Sequence, residues 1–391
     1  MLASADPHRT LAWLRRGDGM VGVGEAARLS FSGPDRFLAA KAAWQELVSR
    51  AEIQDEVRVP GSGLMAFGAF AFADGSASTS TLIVPRIVLG RRNGVSWITR
   101  IAPDGEDAPT APAPRPAGHE YRLTFEPGEL PPETYLQAVQ DAVSRIQAGP
   151  LGKVVLARDI RAHLPRFADL RLALGQLAGA YADTWTFAVD GLVGSSPETL
   201  VQVRQGVVGA RVLAGSARRG EDADDDARHA RDLVSSGKDR EEHEYAVASV
   251  LSALRPHAPR LSSSDEPFPL KLPNLWHLAS DVKGRLADGS TSLDLLAALH
   301  PTAAVAGSPT SAALELIEEL EPFDRGRYAG PVGWVDASGD GEWAVALRCA
   351  QLEADGTLTA YAGAGIVAES EPERELAETT LKFQPIVDAF G

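Results

Sequence analysis

Cysteine is almost missing from this chain: Cys349 is the only one in 391 residues. That excludes an intrachain disulfide framework and any multi-thiolate zinc site. Positive charge is also in short supply, with 38 Lys and Arg against 53 Asp and Glu and a net charge of −15. A nucleic-acid backbone and an anionic membrane surface each call for a basic face, so neither is expected as a partner. An anionic small molecule would need a local cation or a metal ion. Long apolar runs are absent, and the opening stretch MLASADPHRTLAWLRRGDGM reads as neither a secretory signal nor a membrane anchor. The expected compartment is the cytoplasm. There is no H-E-x-x-H and no G-x-x-x-x-G-K-[ST], which removes the commonest zinc-hydrolase and P-loop signatures. What remains is a globular composition, 44% hydrophobic and 23% charged, long enough for two or three domains or one large one.

Residues 1–101 read as short strands broken by glycine: GMVGVGEAARLSF, GSGLMAFGAFAF, STLIVPRIVLGRR and GVSWITRIA. Residues 102–120, rich in Pro, Ala and acid, cannot build a core and read as a loop. Residues 121–391 carry the stronger patterns. PPETYLQAVQDAVSRIQAG spaces Tyr135, Val139, Val143 and Ile146 as one helical face, ended by Gly149-Pro150. LGKVVLARDIRAHL alternates as a strand, with Lys153, Val155 and Ala157 on one side. WTFAVDGLVGSSPETLVQVRQGVVGARVLAG reads as consecutive strands, and KDREEHEYAVASVLSALRPH as a helix. RRGEDADDDARHARD reads as a solvated loop running into a helix. GEWAVALRCAQLEADGTLTAYAGAG is a hairpin pattern turning at Asp355-Gly356. The last helix takes Pro372 in its first turn, and Pro385 should kink or stop it just after Lys382. Adjacent strands mixed with helices favour an α+β fold.

Some apparent signals carry no chemistry. Gly22-Val-Gly24-Glu-Ala-Ala27 and Gly363-Ala-Gly365-Ile-Val-Ala368 fit the loose dinucleotide fingerprint but lack its strand–helix–strand context. His243, between glutamates in REEHEY, reads as part of a solvated helix face; His277 and His300, in apolar surroundings, read as hydrogen-bonded core histidines. GSSPE does not satisfy the serine elbow, and Cys349 reads as core packing.

Two charged patterns are more suggestive. Glu375, Glu378 and Lys382 fall at i, i+3 and i+7 on one helix face. Glu242 stands above a stripe of small residues, Ala246, Ser249 and Ala253, as at the rim of a closely packed helix. Carboxylates converging from these two helices would make an all-oxygen site suited to Mg²⁺. Spacing alone favours an exposed face with a Glu378–Lys382 pair.

Taken in order, GKVVLAR (152–158), GSSPETL (194–200), LAGSARRG (213–220), KDREEHE (238–244), LWHL (275–278), LHPTAAVAGSP (299–309), EPFDRGRYAGPVGW (321–334), GEWAVALRCA (341–350), AGAGIV (362–367) and ELAETTLKF (375–383) resemble the chorismate-utilising enzymes. They look most like the isochorismate synthases. The resemblance runs from about residue 130 to the C-terminus; the first 120 residues match loosely.

That resemblance implies an aminodeoxychorismate-synthase-like α+β fold, two orthogonally packed β-sheets with helices outside, residues 1–101 being a variable part of the same fold. It implies Mg²⁺-dependent conversion of chorismate to isochorismate. Glu242 and Glu378 would be metal ligands, with Glu375 completing the set directly or through water. Lys153 would be the base that activates water for attack at C2, and Glu198 the acid that protonates the departing C4 hydroxyl. Arg348 would hold the enolpyruvyl carboxylate, and Lys382 would sit near the ring carboxylate. The backbones of Gly215 and Gly363 would approach the substrate, with Thr302 and Ala304 also contacting it. Such chemistry needs a base whose surroundings favour its neutral form and an acid whose surroundings keep its proton.

Sister enzymes share the scaffold. The lysine at 153 separates this chain from anthranilate synthases, and no aminodeoxychorismate-synthase lysine motif is found. His300-Pro301-Thr302, with Thr310 after Gly307-Ser308-Pro309, favours isochorismate synthase over the alternative, a salicylate synthase that goes on to eliminate pyruvate. A silent chorismate-binding relative should have lost the base, the acid or a metal carboxylate, and all are present. Ala303 and Val305 depart from the usual residues where the substrate ring would lie. A monomer is expected, feeding menaquinone or siderophore synthesis, without a glutaminase subunit because the nucleophile is water.

Overall fold

The computed structural model describes residues 1–391. Two antiparallel sheets form its centre. The first runs, in spatial order, through strands Gly307–Ser308, Lys153–His163, Thr357–Ile366, Cys349–Leu352, Leu192–Ser196, Trp185–Val189, Leu11–Arg15, Asp18–Val23, Ile87–Arg92 and Val95–Arg100. The second runs through Leu261–Ser263, Leu275–Arg285, Val207–Arg218, Thr199–Arg204, Gly341–Val345, Pro331–Asp336, Met65–Ala69, Ser80–Val84 and Ala27–Phe31. Residues from both sides of the 102–120 loop therefore hydrogen-bond into the same sheets, and that loop divides no core.

The largest apolar cluster unites Trp13 and Phe187 of the first sheet with Phe67, Trp334 and Trp343 of the second. Outside the first sheet, helices Pro132–Ala148, Leu170–Ala180, Thr310–Leu320 and Pro372–Phe390 bury the apolar stripes that their periodicity presents. Helices Ala223–Ser235, Gly237–Leu254 and Ser292–Leu299 cover the second sheet, and Arg36–Arg50 packs on the last of these. The glycine-punctuated reading of residues 1–101 missed the Arg36–Arg50 helix, whose buried face is Phe37, Ala40 and Trp44. The first loose dinucleotide fingerprint leads from strand Asp18–Val23 of the first sheet into strand Ala27–Phe31 of the second, and no helix opens at it.

Two expectations are corrected. His243 is not on a solvated face. The buried stripe of its helix is His243, Ala246, Val250 and Leu254, and Glu242 stands at its edge. The imidazole contacts Ser280 Oγ at 2.8 Å and Ala214 O at 3.2 Å. Nor does Pro385 end the last helix, which continues to Phe390. Proline leaves the carbonyl four residues earlier without its N–H donor, and the side-chain amide of Asn274 donates to that carbonyl, Leu381 O, at 2.8 Å. Asn274→Ala should therefore lower stability by about 1 kcal/mol, read as a shift of the urea midpoint. Adding Pro385→Ala, which returns the N–H, should recover most of that loss. An unchanged midpoint in the single variant would refute the compensation.

Candidate active site

Two of the chain's passages from one sheet to the other lie side by side. Strand Leu192–Ser196 belongs to the first sheet and Thr199–Arg204 to the second; Gly341–Val345 belongs to the second and Cys349–Leu352 to the first. Glu198 sits in the first crossing and Arg348 in the second. Ser196 Oγ donates to Val345 O at 2.6 Å and accepts from the Glu198 N–H at 3.3 Å, tying the crossings together. Arg348 adopts a left-handed backbone, φ 48°, a conformation that non-glycine residues rarely take without a local constraint.

A cleft opens between these crossings and the last helix, lined by charged and apolar side chains together, the mixture that small-molecule sites present. Of the residues singled out in the sequence, Glu198, Gly215, Glu242, Ala304, Arg348, Gly363, Glu378 and Lys382 line it. Lys153, Glu375 and Thr302 are buried and do not line it. Val305 lines the cleft and Ala303 does not, so only one of the two departures from the usual sequence faces it.

Lys153 takes the inward side of its strand, as alternation requires, and its side chain is fully buried. Nζ lies 3.1 Å from Glu242 Oε1 without the alignment of a hydrogen bond. Gly365 makes room for this pair: a Cβ there would lie 2.3 Å from Glu242 Oε1 and 3.0 Å from Lys153 Cε. Gly215 has φ 79°, and a Cβ there would press on Asp239. Glu198 is buried, which pushes its carboxyl up to about 8 against the pull of Lys153 and Lys382. At neutral pH it keeps its proton.

Arg348 donates from Nη2 to His277 Nε2 at 2.8 Å, while its Nη1 is buried with no partner. Burial lowers the guanidinium to about 10, still charged at neutral pH. His277 contacts Gly215 O through Nδ1 at 3.2 Å. Burial, then Arg348 and Lys382, drive its pKa well down, so the ring is neutral, with Nδ1–H donating and Nε2 free to accept from arginine. His277 is thus the hydrogen-bonded buried histidine expected from the sequence, but it also faces the cleft. An unpaired buried guanidinium donor at a cleft wall is suited to a carboxylate.

The last helix is anchored to the strand that carries Lys153 by Arg158, whose Nε donates to Thr379 Oγ1 at 2.8 Å and whose guanidinium lies over Phe383. This aims three residues of the helical face inward. Glu378 Oε1 pairs with Lys382 Nζ at 2.6 Å, and Lys382 also donates to Gly363 O at 2.8 Å. Glu375, one turn earlier, pairs with Lys238 Nζ at 2.7 Å. Burial and then the adjacent Glu378 raise Glu375; burial also works to raise Glu378, but Lys382 and Lys238 outweigh it and hold that carboxyl low. Ser236 caps the facing helix by accepting from Asp239 N–H at 3.3 Å, so that Lys238, Asp239 and Glu242 start its first turns. Asp239 and Lys238 were passed over in the sequence, where KDREEHE offered no way to tell inward from outward charges.

The donors facing this region are carboxylate oxygens, the hard ligands that Mg²⁺ prefers, and the repulsion between Glu375 and Glu378 is what a divalent cation would relieve. Chemically the set fits such an ion. In this geometry each of Glu242, Glu375 and Glu378 is engaged by a lysine, and no three acidic or histidine side chains are gathered as a ready ligand cage.

Residues 11–391 match the family described as chorismate binding enzyme. The chain is 43% identical over 287 residues to the isochorismate synthase DhbC of Bacillus subtilis, covering 70% of this chain and 71% of that one. Its structure superposes with TM-score 0.82 on a Bacillus anthracis chain described as a 2,3-dihydroxybenzoate-specific isochorismate synthase, DhbC, at 32% identity over 99% and 98% of the two chains. It superposes with TM-score 0.80 on MenF, the menaquinone-specific isochorismate synthase of Escherichia coli, at 26% identity over 100% and 90%. Because the matched region contains every residue that lines the cleft and both sheets that build it, the chain belongs to the chorismate-binding enzyme family.

Proposed function

We propose that the chain is an isochorismate synthase, converting chorismate to isochorismate. The observation that carries this reading is a carboxyl group, Glu198, kept protonated near neutral pH at the wall of a cleft whose opposite charges include a buried lysine and an unpaired arginine donor. The reaction adds a hydroxyl at C2 and removes one at C4, so water must lose a proton on one side of the ring and the leaving hydroxyl must gain one on the other. Lys153 takes the proton from water. Glu198 gives its proton to the C4 oxygen. Arg348, fixed by His277, receives the enolpyruvyl carboxylate, and Lys382 receives the ring carboxylate. Gly215 and Gly363 keep side chains out of the substrate's path, while Thr302 and Ala304 shape the wall beside the ring.

Glu242, Glu375 and Glu378 would hold Mg²⁺, which when bound supplies positive charge for the substrate's ring carboxylate. Arg348, whose Nη1 has no partner, gives the acidic chain local positive charge for a dianion. No helix is long and apolar enough to cross a membrane. The reading places the enzyme in the cytoplasm as a monomer, without a glutaminase subunit because water is the nucleophile, and with its product entering menaquinone or siderophore synthesis.

The test is to incubate the protein with chorismate, with and without Mg²⁺, and identify the products by proton NMR. Isochorismate without pyruvate, abolished by EDTA and restored by Mg²⁺, is the expected result. Salicylate with pyruvate, formed faster than isochorismate decays unaided, would move the chain to the sister reaction; unchanged chorismate would sink the proposal.

A further inference from the structure

Each carboxylate proposed for the metal has its own ammonium partner, but the three lysines are not equivalent. Lys153 is fully buried and faces Glu242, and Lys382 reaches into the cleft and also donates to Gly363 O. Both have work to do with substrate. Lys238 has none: it does not line the cleft, and its ammonium makes one side-chain hydrogen bond, to Glu375 Oε1 at 2.7 Å. Glu375, buried on the same helix face as Glu378 one turn on, has Lys238 as its own cation.

We infer that Lys238 is a built-in substitute for the metal ion, a positioning residue that keeps Glu375 and its neighbours charge-compensated until a divalent cation displaces its ammonium. The inference rests on the metal reading above and adds to it a residue that sets metal affinity without touching substrate. Two unit charges a few ångströms apart in a partly buried setting interact by more than a factor of ten in affinity, so competition between Lys238 and a divalent ion for Glu375 is large enough to measure. Glu375, with a side chain only 2% exposed, has little water to compensate it when neither cation is present. A lysine on the neighbouring helix can withdraw along its flexible stem as the metal arrives, leaving the backbone where it is.

Metal binding itself provides the test, with Mn²⁺ followed by electron paramagnetic resonance and Mg²⁺ by calorimetry, both without substrate. Lys238→Met, which keeps the apolar stem and removes the charge, should bind both ions at least tenfold more tightly than the unsubstituted protein. Lys238→Arg should return the affinity towards the original value. In EDTA the Met variant should melt at a lower temperature than the unsubstituted protein and regain the difference when Mg²⁺ is added, since the metal then compensates Glu375. A purely structural salt bridge predicts the opposite: weaker or unchanged metal binding in Lys238→Met, and a melting loss that Mg²⁺ does not repair. Either result overturns the inference. Lys238→Gln provides the same comparison if the Met variant folds poorly. Absence of metal binding in both the unsubstituted and the Met protein would remove the metal reading itself, and this inference with it; binding of equal strength in both would remove the inference alone.

Discussion

Lys153→Ala should abolish isochorismate formation while chorismate still binds. A positioned proton acceptor contributes about 10²–10⁴ in rate, and no other side chain in the cleft is placed on the same strand face to replace it. Lys153 Nζ is fully buried and touches Glu242 through an unaligned 3.1 Å contact, so it is held near an acid without being committed to a hydrogen bond. Lys153→Arg should fail as completely as Ala. Arginine preserves the positive charge but cannot accept a proton in this range, so the pair of variants separates a base from an electrostatic anchor. Circular dichroism of both should resemble that of the unsubstituted protein, because the residue's neighbours on the strand, Val154 and Leu156, pack into the helix-covered core on the opposite side. Near-normal turnover from the Ala variant, or substantial rescue by Arg, would end the assignment of Lys153 as base.

Glu198→Gln should cost about 10²–10⁴ in turnover and erase one limb of the pH profile. Glu198 can donate only while protonated. Burial raises its carboxyl to about 8, with Lys153 and Lys382 pulling the other way. The sign follows: below that value the acid is in place, and kcat/KM should fall tenfold per pH unit as pH rises beyond it. Because kcat/KM reports the free enzyme, this is the profile to compare with the unliganded structure. In the Gln variant the remaining activity should be flat through the same region. A descending limb that survives the substitution would belong to another group, and Glu198 would lose its role as acid.

These two residues also show how differently a sequence exposes its site. Lys153 was legible as inward-facing because a strand alternates with period two, and its register beside Val155 and Ala157 needs only local geometry. Glu375, Glu378 and Lys382 were legible as one face for the same reason, at helical period. The spacing could not tell a solvated face from an active one. That choice lay with Arg158, which reaches from the neighbouring strand to Thr379 and Thr380 and turns the face inward. Glu198 and Arg348 fell inside runs read as strands, where nothing in the pattern set them apart. They stand in the short segments where the chain changes sheets, and only the pairing of strands far apart in sequence brings those segments together.

Where the sequence misled, the cause was likewise a partner distant along the chain. His243 among glutamates looked solvated, yet it is sequestered between Ala214 and Ser280. Pro385 was expected to kink or stop the helix; it does not stop it, and Asn274 supplies the hydrogen bond that proline withholds. Ala303, expected beside the substrate ring, does not line the cleft, whereas Val305 does, its loop tied to the Lys153 strand by Arg325, which donates to Val305 O at 2.9 Å and Val155 O at 2.7 Å.

By itself, then, the sequence determined the class of fold, the periodic elements and the ordered motifs that tie the chain to its family, because these depend on composition and on short repeats along the backbone. The tertiary structure decided which charges are buried, which carboxyl keeps its proton and which ammonium answers which carboxylate. Those properties depend on desolvation and on Coulomb interactions over a few ångströms, and the residues responsible are brought to that range only when both sheets and the last helix are assembled.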